Sequence, residues 1–251
     1  MADSGERPPV TGNSFLDSLS APTRVRLGRH LTRRILKKRE VLAEPGVPIA
    51  EVYFPIQSMI STVTQTIEGA SVEVGLTGHD GLAPLSIAYG SPVSRHLTVV
   101  QVPDSAMAMS AAAFLAELEA DPELQRRVLR YAEYSFAAAT QFTACNGLHP
   151  VEERYARWIL MVDDRVGTEE FSLTQEYSAE MLGVRRASVT VVAKALSNEG
   201  LIAYRRGVMS VKDRAGLEES ACECYSALNG DLHRIMGYAA RRASITNLGA
   251  N

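Results

Sequence analysis

The chain has 251 residues, of which 46% are hydrophobic and 22% charged, and its formal net charge is −3 at pH 7. These values are typical of a globular protein, and no segment reaches the about 18 consecutive apolar residues that a transmembrane helix needs. Three cysteines argue against a secreted disulfide framework. The negative net charge means that any affinity for nucleic acid must come from a local cluster of cations.

The first residues read as a leader rather than as part of the fold. Residues 1–13 are polar, contain Pro8 and Pro9, and lack the apolar segment of a signal peptide. We expect them to be disordered, on a cytoplasmic protein. An amphipathic segment over residues 15–30 predicts a helix before the first strand.

Short segments rich in β-branched and aromatic residues follow, separated by glycine and proline turns. Segments of this kind predict strands. Their close spacing predicts a small β-roll, barrel or sandwich within residues 14–110. The predicted strands are residues 51–54, 59–63, 71–74 and 97–102.

Helical periodicity begins after residue 110. A short helix is predicted over residues 111–119, and Asp121 and Pro122 then provide the N-cap and first position of a long helix. Asn146-Gly147 is predicted to end this helix, because glycine readily adopts the left-handed conformation of a C-cap. We therefore place a dimerisation helix within residues 111–146 and a domain boundary at its end.

Apolar and small residues of the long helix repeat at alternating intervals of four and three, which is the spacing of a coiled-coil seam. We interpret this seam as a dimer interface. Packing of the same face against the chain's own domain would give the same periodicity, so both interpretations remain open. The predicted interface residues are Leu124, Val128, Tyr131, Ser135, Ala138 and Phe142.

A winged helix-turn-helix is predicted within residues 147–213, with its two central helices between residues 174 and 194. Two helices joined by a tight turn need a small residue where they cross and a residue that tolerates positive φ in the turn. Ala179 and Gly183 have these properties at the required spacing, and Val184 can fill the gap between the helices. The residues of the second helix that are predicted to face inward are Val189, Val192 and Leu196.

The opposite face of the second helix would then present cations and methyl groups, and an α-helix fits the major groove of B-DNA. Residues 174–212 contain six basic and three acidic side chains, a local charge of +3 in an acidic chain. Residues 200–211 predict a two-stranded wing with arginines at its tip. The predicted DNA-contacting residues are Thr174, Gln175, Arg185, Arg186, Ala187, Ser188, Thr190, Val191, Lys194, Arg205 and Arg206.

The order of these parts resembles the Crp–Fnr family of bacterial transcription regulators over residues 14–213. The resemblance implies an α+β fold with an N-terminal β-roll (a double-stranded β-helix) that senses a small effector. It also implies a homodimer formed through the long helix, binding to two-fold-related DNA half-sites, and contact with RNA polymerase. The motifs that carry it are Val52-Tyr-Phe-Pro55 with Ser61, Glu73-Val-Gly75 before Gly78-His-Asp-Gly81, and Leu182-Gly-Val-Arg-Arg-Ala-Ser-Val189.

The chain departs from the family pattern in its effector cassette. Members that bind cyclic AMP carry a glutamate for the ribose and an arginine, followed by small residues, for the phosphate. Here that glutamate is missing, and His96 and Leu97 follow Arg95. The resemblance therefore implies an effector other than cyclic AMP, or none. The candidate effector-binding residues are Asp80, Gly81, Leu82, Arg95 and His96.

A second departure lies in the predicted recognition helix. The family's usual glutamate and second arginine are absent from Arg186-Ala-Ser-Val-Thr-Val191, although the first arginine and the serine remain. We expect a half-site that differs from the family's commonest one, with more apolar contact to thymine methyl groups.

No cofactor, metal site or catalytic group is predicted. Oxygen-sensing relatives hold an iron–sulfur cluster on N-terminal cysteines, and no cysteine precedes Cys145 here. Cys222 and Cys224, with His233, suggest a metal site, but a helix and tail are predicted over residues 214–251. Residues two apart on a helix point about 200° apart, so these thiols cannot share one ion unless the helix is broken. No nucleophile or metal motif accompanies His79-Asp80, so we expect no catalytic role for this pair.

Three functions are therefore compared. A DNA-binding regulator accounts for the helix-turn-helix, the wing and the local positive charge. A sensor or adaptor could instead act through protein contacts without specific DNA binding. An enzyme that uses the interior of the β-roll would need a catalytic constellation that the sequence does not provide.

Overall fold

The computed structural model of the protein describes residues 10–240 and 242. Most of the predicted leader, and the end of the predicted tail, lie outside the described residues. Residues 10–13 were predicted to be disordered, and this is wrong for Asn13, which is fully buried. Its amide Nδ2 donates to the carbonyl oxygens of Pro55 at 2.8 Å and Gly81 at 2.9 Å. The folded part therefore begins before residue 14.

Two short helices precede the roll, where one helix over residues 15–30 was predicted. Helix α1 covers Ser14–Asp17 and is capped by the Asn13 side chain, and α2 covers Ala21–Gly28. The break has a local cause. Pro22 has no N–H to give to a preceding turn, and it is tolerated only in the first turn of a new helix.

Seven antiparallel strands form the β-roll in two sheets. Their order is β1-β7-β3 in one sheet and β2-β6-β4-β5 in the other. The four predicted strands are confirmed, whereas β1, β2 and β7 were missed. The strands are β1 Thr32–Ile35, β2 Val41–Ala43, β3 Glu51–Pro55, β4 Met59–Gln65, β5 Ser71–Thr77, β6 Leu97–Val102 and β7 Ser105–Ser110.

Helix α3 covers Ala111–Ala120 and helix α4 covers Pro122–Leu148. The predicted N-cap of α4 is confirmed, since the Asp121 side chain accepts from the backbone N–H groups of Glu123 and Leu124. The predicted end of the helix at Asn146-Gly147 is wrong. The helix continues to Leu148 and stops at His149, which is extended because the following Pro150 disfavours helical geometry in the residue before it.

The predicted dimer seam of α4 is wrong as an interface between two copies. Leu124, Val128, Ala138 and Phe142 are buried within a single chain, and the Tyr131 ring packs edge-on against Phe15 at 5.9 Å. Ser135 is half-buried. The opposite side of the helix is exposed instead. The same spacing of four and three therefore reflects packing against the chain's own β-roll and against side chains of the C-terminal half, such as Arg157 over the Phe142 ring.

The C-terminal half is built on α5 (Val151–Val166), which is buried along most of its length. Helices α6 (Gln175–Leu182) and α7 (Arg186–Asn198) follow, with a small sheet of order β8-β10-β9. Its strands are β8 Phe171–Ser172, β9 Ile202–Arg205 and β10 Val208–Val211.

The continuous C-terminal helix that was predicted from residue 214 is wrong. Helix α8 covers Arg214–Glu219, and α9 covers Cys224–Met236 and packs along α4. Cys222 lies in the connection between them, outside any helix. Within the described residues, no helix combines the length and apolar character that a bilayer crossing requires.

A buried ion pair joins the two halves of the chain. The Arg165 guanidinium of α5 lies 2.8 Å from an Asp80 carboxylate oxygen at the end of the β-roll, and both side chains are buried. The same guanidinium donates to the Tyr134 hydroxyl of α4 at 2.9 Å. Gly78 makes room for it, because a Cβ there would lie 2.6 Å from the Arg165 Cβ.

We expect Arg165→Met to lower the free energy of unfolding by about 3–5 kcal/mol, because it leaves Asp80 buried without its cation. The matched control is Arg34→Met, which removes an ion pair with Glu51 in which both side chains are partly exposed; its cost should not exceed about 1 kcal/mol. Urea unfolding of both variants measures the difference. Equal losses would contradict a joining role for the buried pair.

Candidate nucleic-acid interface and effector cavity

The helix-turn-helix has the local geometry that the sequence predicted. The Thr174 side chain caps α6 by accepting from the Tyr177 N–H at 3.2 Å. Gly183 ends the helix in the left-handed conformation with φ of 63°. Ala179 is buried and its carbonyl accepts from the Val184 N–H at 3.0 Å, which closes the turn before α7.

The inward face of α7 differs by one residue from the prediction. Val189 and Leu196 are buried as predicted, and Ala193 is buried with them. Val192 is only half-buried. Residues 189, 193 and 196 are spaced by four and three positions, so they lie on one face of the helix. Residue 192 lies at the edge of that face. A small alanine therefore lies at the centre of this contact.

The outward face of α7 carries the predicted contact residues. Arg186, Ala187, Thr190 and Lys194 are exposed, and Val191 is 70% exposed. Methyl groups and cations therefore lie side by side on the exposed face of α7.

Contacts join this face to the first helix and to the wing. The Thr190 hydroxyl donates to the Gln175 side-chain oxygen at 2.8 Å, which connects α7 to the start of α6. The Leu173 N–H donates to the Gly207 carbonyl at 2.8 Å, and Gly207 packs against Thr174. The start of α6, the outward face of α7 and the tip of the wing therefore form one surface.

The wing is a hairpin between β9 and β10. Arg206 and Gly207 form its two-residue turn, both with positive φ, at 51° and 80°. This is the backbone geometry of a tight hairpin turn, in which a non-glycine residue is uncommon. Arg205 and Arg206 are both exposed. The fold thus projects two guanidinium groups from the tip.

The cations of this surface are not held in ion pairs by the described residues. Among the residues that the structure describes, no salt bridge involves Arg185, Arg186, Lys194, Arg205 or Arg206. Sequence reasoning missed Lys38 of the β-roll, whose ammonium donates to Ser172 in β8 at 2.7 Å. That contact spans 134 positions and has no local signal.

A cavity of about 390 Å³ lies between the β-roll and α4. Of the five candidate effector residues, Leu82, Arg95 and His96 line it. Asp80 and Gly81 do not, and this corrects the prediction. Asp80 faces Arg165 instead, and Gly81 lies against the Tyr131 ring so closely that a Cβ would fall 1.9 Å from its hydroxyl.

The cavity combines an apolar wall with polar groups. Tyr131 and Ala138 of α4 contribute to the wall, so part of the predicted dimer seam lines a cavity instead. Arg95 is the cation of the lining and is exposed. Hydroxyl groups are supplied by Thr62, Thr64, Thr77, Ser86, Tyr89, Ser91, Thr98, Tyr131, Tyr134 and Ser135. These groups suit a ligand with an apolar body and an anionic or hydroxylated end.

A second contact between the two halves is formed by Glu73 of β5. Its carboxylate accepts from the Trp158 indole N–H at 2.9 Å and from the Ser61 hydroxyl at 2.6 Å. Burial is the main influence and raises the pKa of Glu73 to about 7, although both hydrogen bonds oppose that shift. A carboxyl group that changes charge near neutral pH thus lies between the β-roll and α5.

Comparison with known domain families supports the helix-turn-helix. Residues 153–220 match the Crp-like helix-turn-helix domain. No curated protein sequence matches the chain.

Solved structures share the fold at low identity. FixK2 from Bradyrhizobium japonicum superposes with a TM-score of 0.63 at 14% identity, over 76% of this chain and 98% of its own. The c-di-GMP-responsive global regulator CLP from Xanthomonas campestris superposes with a TM-score of 0.61 at 17% identity, over 76% of this chain and 99% of its own. A CRP/FNR-family transcriptional regulator from Thermus thermophilus superposes with a TM-score of 0.60 at 20% identity, over 76% of this chain and 98% of its own. The predicted fold class is thereby confirmed.

We expect Glu73→Gln to change how stability depends on pH. The folded protein holds a proton on Glu73 up to about pH 7, whereas the unfolded chain releases it near 4.5. The native state therefore binds more protons in this interval, and Glu73 makes the free energy of unfolding fall as pH rises through it. Urea unfolding at about pH 5 and about pH 7.5 measures this change. Between the two pH values, the free energy of unfolding should fall less in Glu73→Gln than in the parent protein.

The matched control is Glu68→Gln, which lies on an exposed turn of the β-roll. It should keep the pH dependence of the parent protein. A parallel pH dependence in the parent and in Glu73→Gln would show that the Glu73 carboxyl is not protonated in the folded state.

Proposed function

We propose that this chain, which contains a Crp-like helix-turn-helix domain within the fold of Crp/Fnr regulators, is a DNA-binding transcription regulator that acts as a homodimer. The observation that carries the proposal is the continuous surface formed by α7, the start of α6 and the wing. Its cations lack salt-bridge partners among the described residues, and α7 presents its whole outward face to solvent. A major groove accepts a helix of this kind.

The predicted DNA-contacting residues divide into two groups by chemistry. Arg186 can donate two hydrogen bonds to guanine, and the methyl groups of Ala187, Thr190 and Val191 can contact thymine. The remaining predicted residues set the position on the duplex rather than the sequence that is read. These phosphate-contacting residues are Thr174, Gln175, Arg185, Ser188, Lys194, Arg205 and Arg206.

A second copy is proposed to cover the exposed side of α4. This side carries Leu129, which is 55% exposed, and Phe136, which is 71% exposed, with Thr140 and Thr143 continuing the same face. The steps of seven, four and three are those of a helix seam. Two helices paired in this way would bring two recognition helices to half-sites roughly 34 Å apart. Contact with RNA polymerase is proposed from the fold resemblance alone.

A small effector is proposed to bind the cavity of the β-roll. Its lining favours an amphipathic molecule whose anionic end meets Arg95, and the missing ribose-binding glutamate argues against cyclic AMP. Phe136 belongs both to the cavity lining and to the exposed side of α4. A bound effector would therefore contact the dimer interface directly and could favour one arrangement of the two copies.

We expect Arg186→Ala to weaken binding to a selected specific DNA site by about 1–3 kcal/mol while leaving binding to random DNA nearly unchanged. The site is first obtained by selection from a random pool with the purified protein. Fluorescence anisotropy over a range of salt concentrations then measures both affinities. Log affinity should fall linearly with log salt, because phosphate contacts release counterions.

Arg29→Ala is the matched control, since Arg29 is an exposed arginine that directly follows α2, outside the helix-turn-helix. It should leave both affinities unchanged. Equal weakening of specific and random binding by Arg186→Ala would reassign that side chain to a phosphate. An absence of salt-dependent DNA binding in the parent protein would favour the adaptor function instead.

We expect Phe136→Glu to convert the dimer to a monomer, because it places a charge in the proposed apolar contact between two α4 helices. Sedimentation velocity measures the change. Ile67→Glu is the matched control, since Ile67 is fully exposed on a hairpin of the β-roll. Identical sedimentation of the parent and Phe136→Glu would place the dimer contact elsewhere or show that the protein is monomeric.

A further inference from the structure

We infer that Cys145, His149, Cys222 and Cys224 form a structural zinc site. One ligand atom from each residue lies within 4.8 Å of all the others. Two of the residues come from the end of α4, and two come from the connection between α8 and α9 and the first position of α9. None of them belongs to the DNA-binding surface or lines the effector cavity, so the site is independent of the proposed function.

The backbone explains why four residues so distant in sequence meet. Cys145 lies in the last turn of α4 and His149 directly follows the helix, where its N–H donates to the Cys145 carbonyl at 3.1 Å, so the two residues are held next to each other. Cys222 precedes α9 and Cys224 begins it. The sequence argument against a shared ion assumed one continuous helix through both cysteines, and the break between α8 and α9 removes that assumption.

The distances between ligand atoms fit one tetrahedral ion. The Cys145 and Cys222 sulfurs are 3.5 Å apart, and the Cys224 sulfur lies 3.6 Å from Nδ1 of His149. A zinc ion with Zn–S bonds of about 2.3 Å separates two tetrahedral thiolates by about 3.8 Å. An iron–sulfur cluster has a larger body and would hold its ligands farther apart. Three thiolates and one imidazole are also a common structural zinc set.

Groups around the four ligands have the roles of an outer shell. Nε2 of His149 lies 3.2 Å from a Glu223 carboxylate oxygen, which orients Nδ1 toward the thiols. The Gln141 amide donates to the Cys224 sulfur at 3.0 Å. Carboxylate partners of this kind fix the tautomer and orientation of histidines that bind zinc.

Two buried cations complete the charge balance. Arg154 and Arg157 of α5 are both buried, and Nε of each has no hydrogen-bond partner within the described part of the chain. The Arg157 guanidinium lies 4.8 Å from the centroid of the Phe142 ring, which is three positions before Cys145 on α4. Three thiolates and Zn²⁺ carry a net charge of about −1, which gives these buried arginines an anionic neighbour.

A route for the ion is also present. A cavity of about 450 Å³ adjoins the site, and Cys222 forms part of its wall. Four acidic side chains line the same cavity, and their charge favours entry of a divalent cation. They are Glu152, Glu153, Glu219 and Glu223.

The four ligands would tie the C-terminal segment to the junction of α4 and α5. Four protein ligands leave no open position for a substrate, so the role is structural rather than catalytic. The ion would hold α9 along α4 next to the turn at His149, where the long helix meets the DNA-binding half.

The experiment measures metal in the full-length protein, purified under reducing conditions without chelator. We expect one zinc per chain by inductively coupled plasma mass spectrometry, and loss of that zinc in the Cys222→Ser, Cys224→Ser double variant. His233→Ala is the matched control, because His233 is an exposed histidine of α9 outside the cluster. It should retain one zinc per chain.

A second measurement applies if the double variant does not fold. Cobalt is added to the metal-free parent protein, and thiolate-to-cobalt charge-transfer and tetrahedral d–d absorption should appear and disappear when zinc is added. A protein that contains no zinc and gives no such spectrum would overturn the inference. So would a Cys145–Cys222 disulfide in the reduced preparation, iron with inorganic sulfide, or zinc retained by a folded double variant.

Discussion

The contact between Arg165 and Asp80 fixes how the two halves of this chain are placed. An unpaired charge in that interior would cost several kcal/mol, so each side chain needs the other at one distance and in one orientation. Gly78 leaves the space that the arginine stem occupies. Helix α5 thereby takes a defined position on the β-roll. Helix α7 packs on α5, and α6 packs on both α5 and strand β5 of the roll.

The same ion pair connects the cavity to the half that contains the helix-turn-helix. Tyr134 lines the cavity, and its hydroxyl accepts a hydrogen bond from Arg165. Burial raises the pKa of Tyr134 to about 12, so this hydroxyl stays neutral and keeps its proton at physiological pH. The proposed effector would therefore contact a side chain that is hydrogen-bonded to α5. Coupling between the cavity and the helix-turn-helix would need no further structural element. It would need only that the contacts of Tyr134 and Arg165 have two arrangements, one of which the effector favours.

Sequence patterns predicted the parts whose signal is local. The Thr174 cap, the turn at Gly183 and the outward face of α7 follow from residues within about one helical turn of each other. The periodicity of a helix indicates which face is buried, but it does not identify the part of the structure that packs against that face. The seam at Tyr131 repeats as a dimer helix would, yet its partners are Phe15 and Thr77 of the same chain. Likewise, Asp80 meets Arg165 from a distant part of the sequence, which no local pattern records.

Helix α4 illustrates why that ambiguity arises. One of its sides packs on the β-roll and lines the cavity, and another exposes Leu129 and Phe136. Cys145 in its last turn, and His149 directly after it, face the C-terminal segment. A single helix thus carries three sets of constraints in one stretch of sequence. Each group of residues repeats with the period of a helix. In the sequence the three groups therefore cannot be told apart from a single amphipathic pattern. Only the positions of the other elements separate them, and those positions depend on α5 being held against the roll.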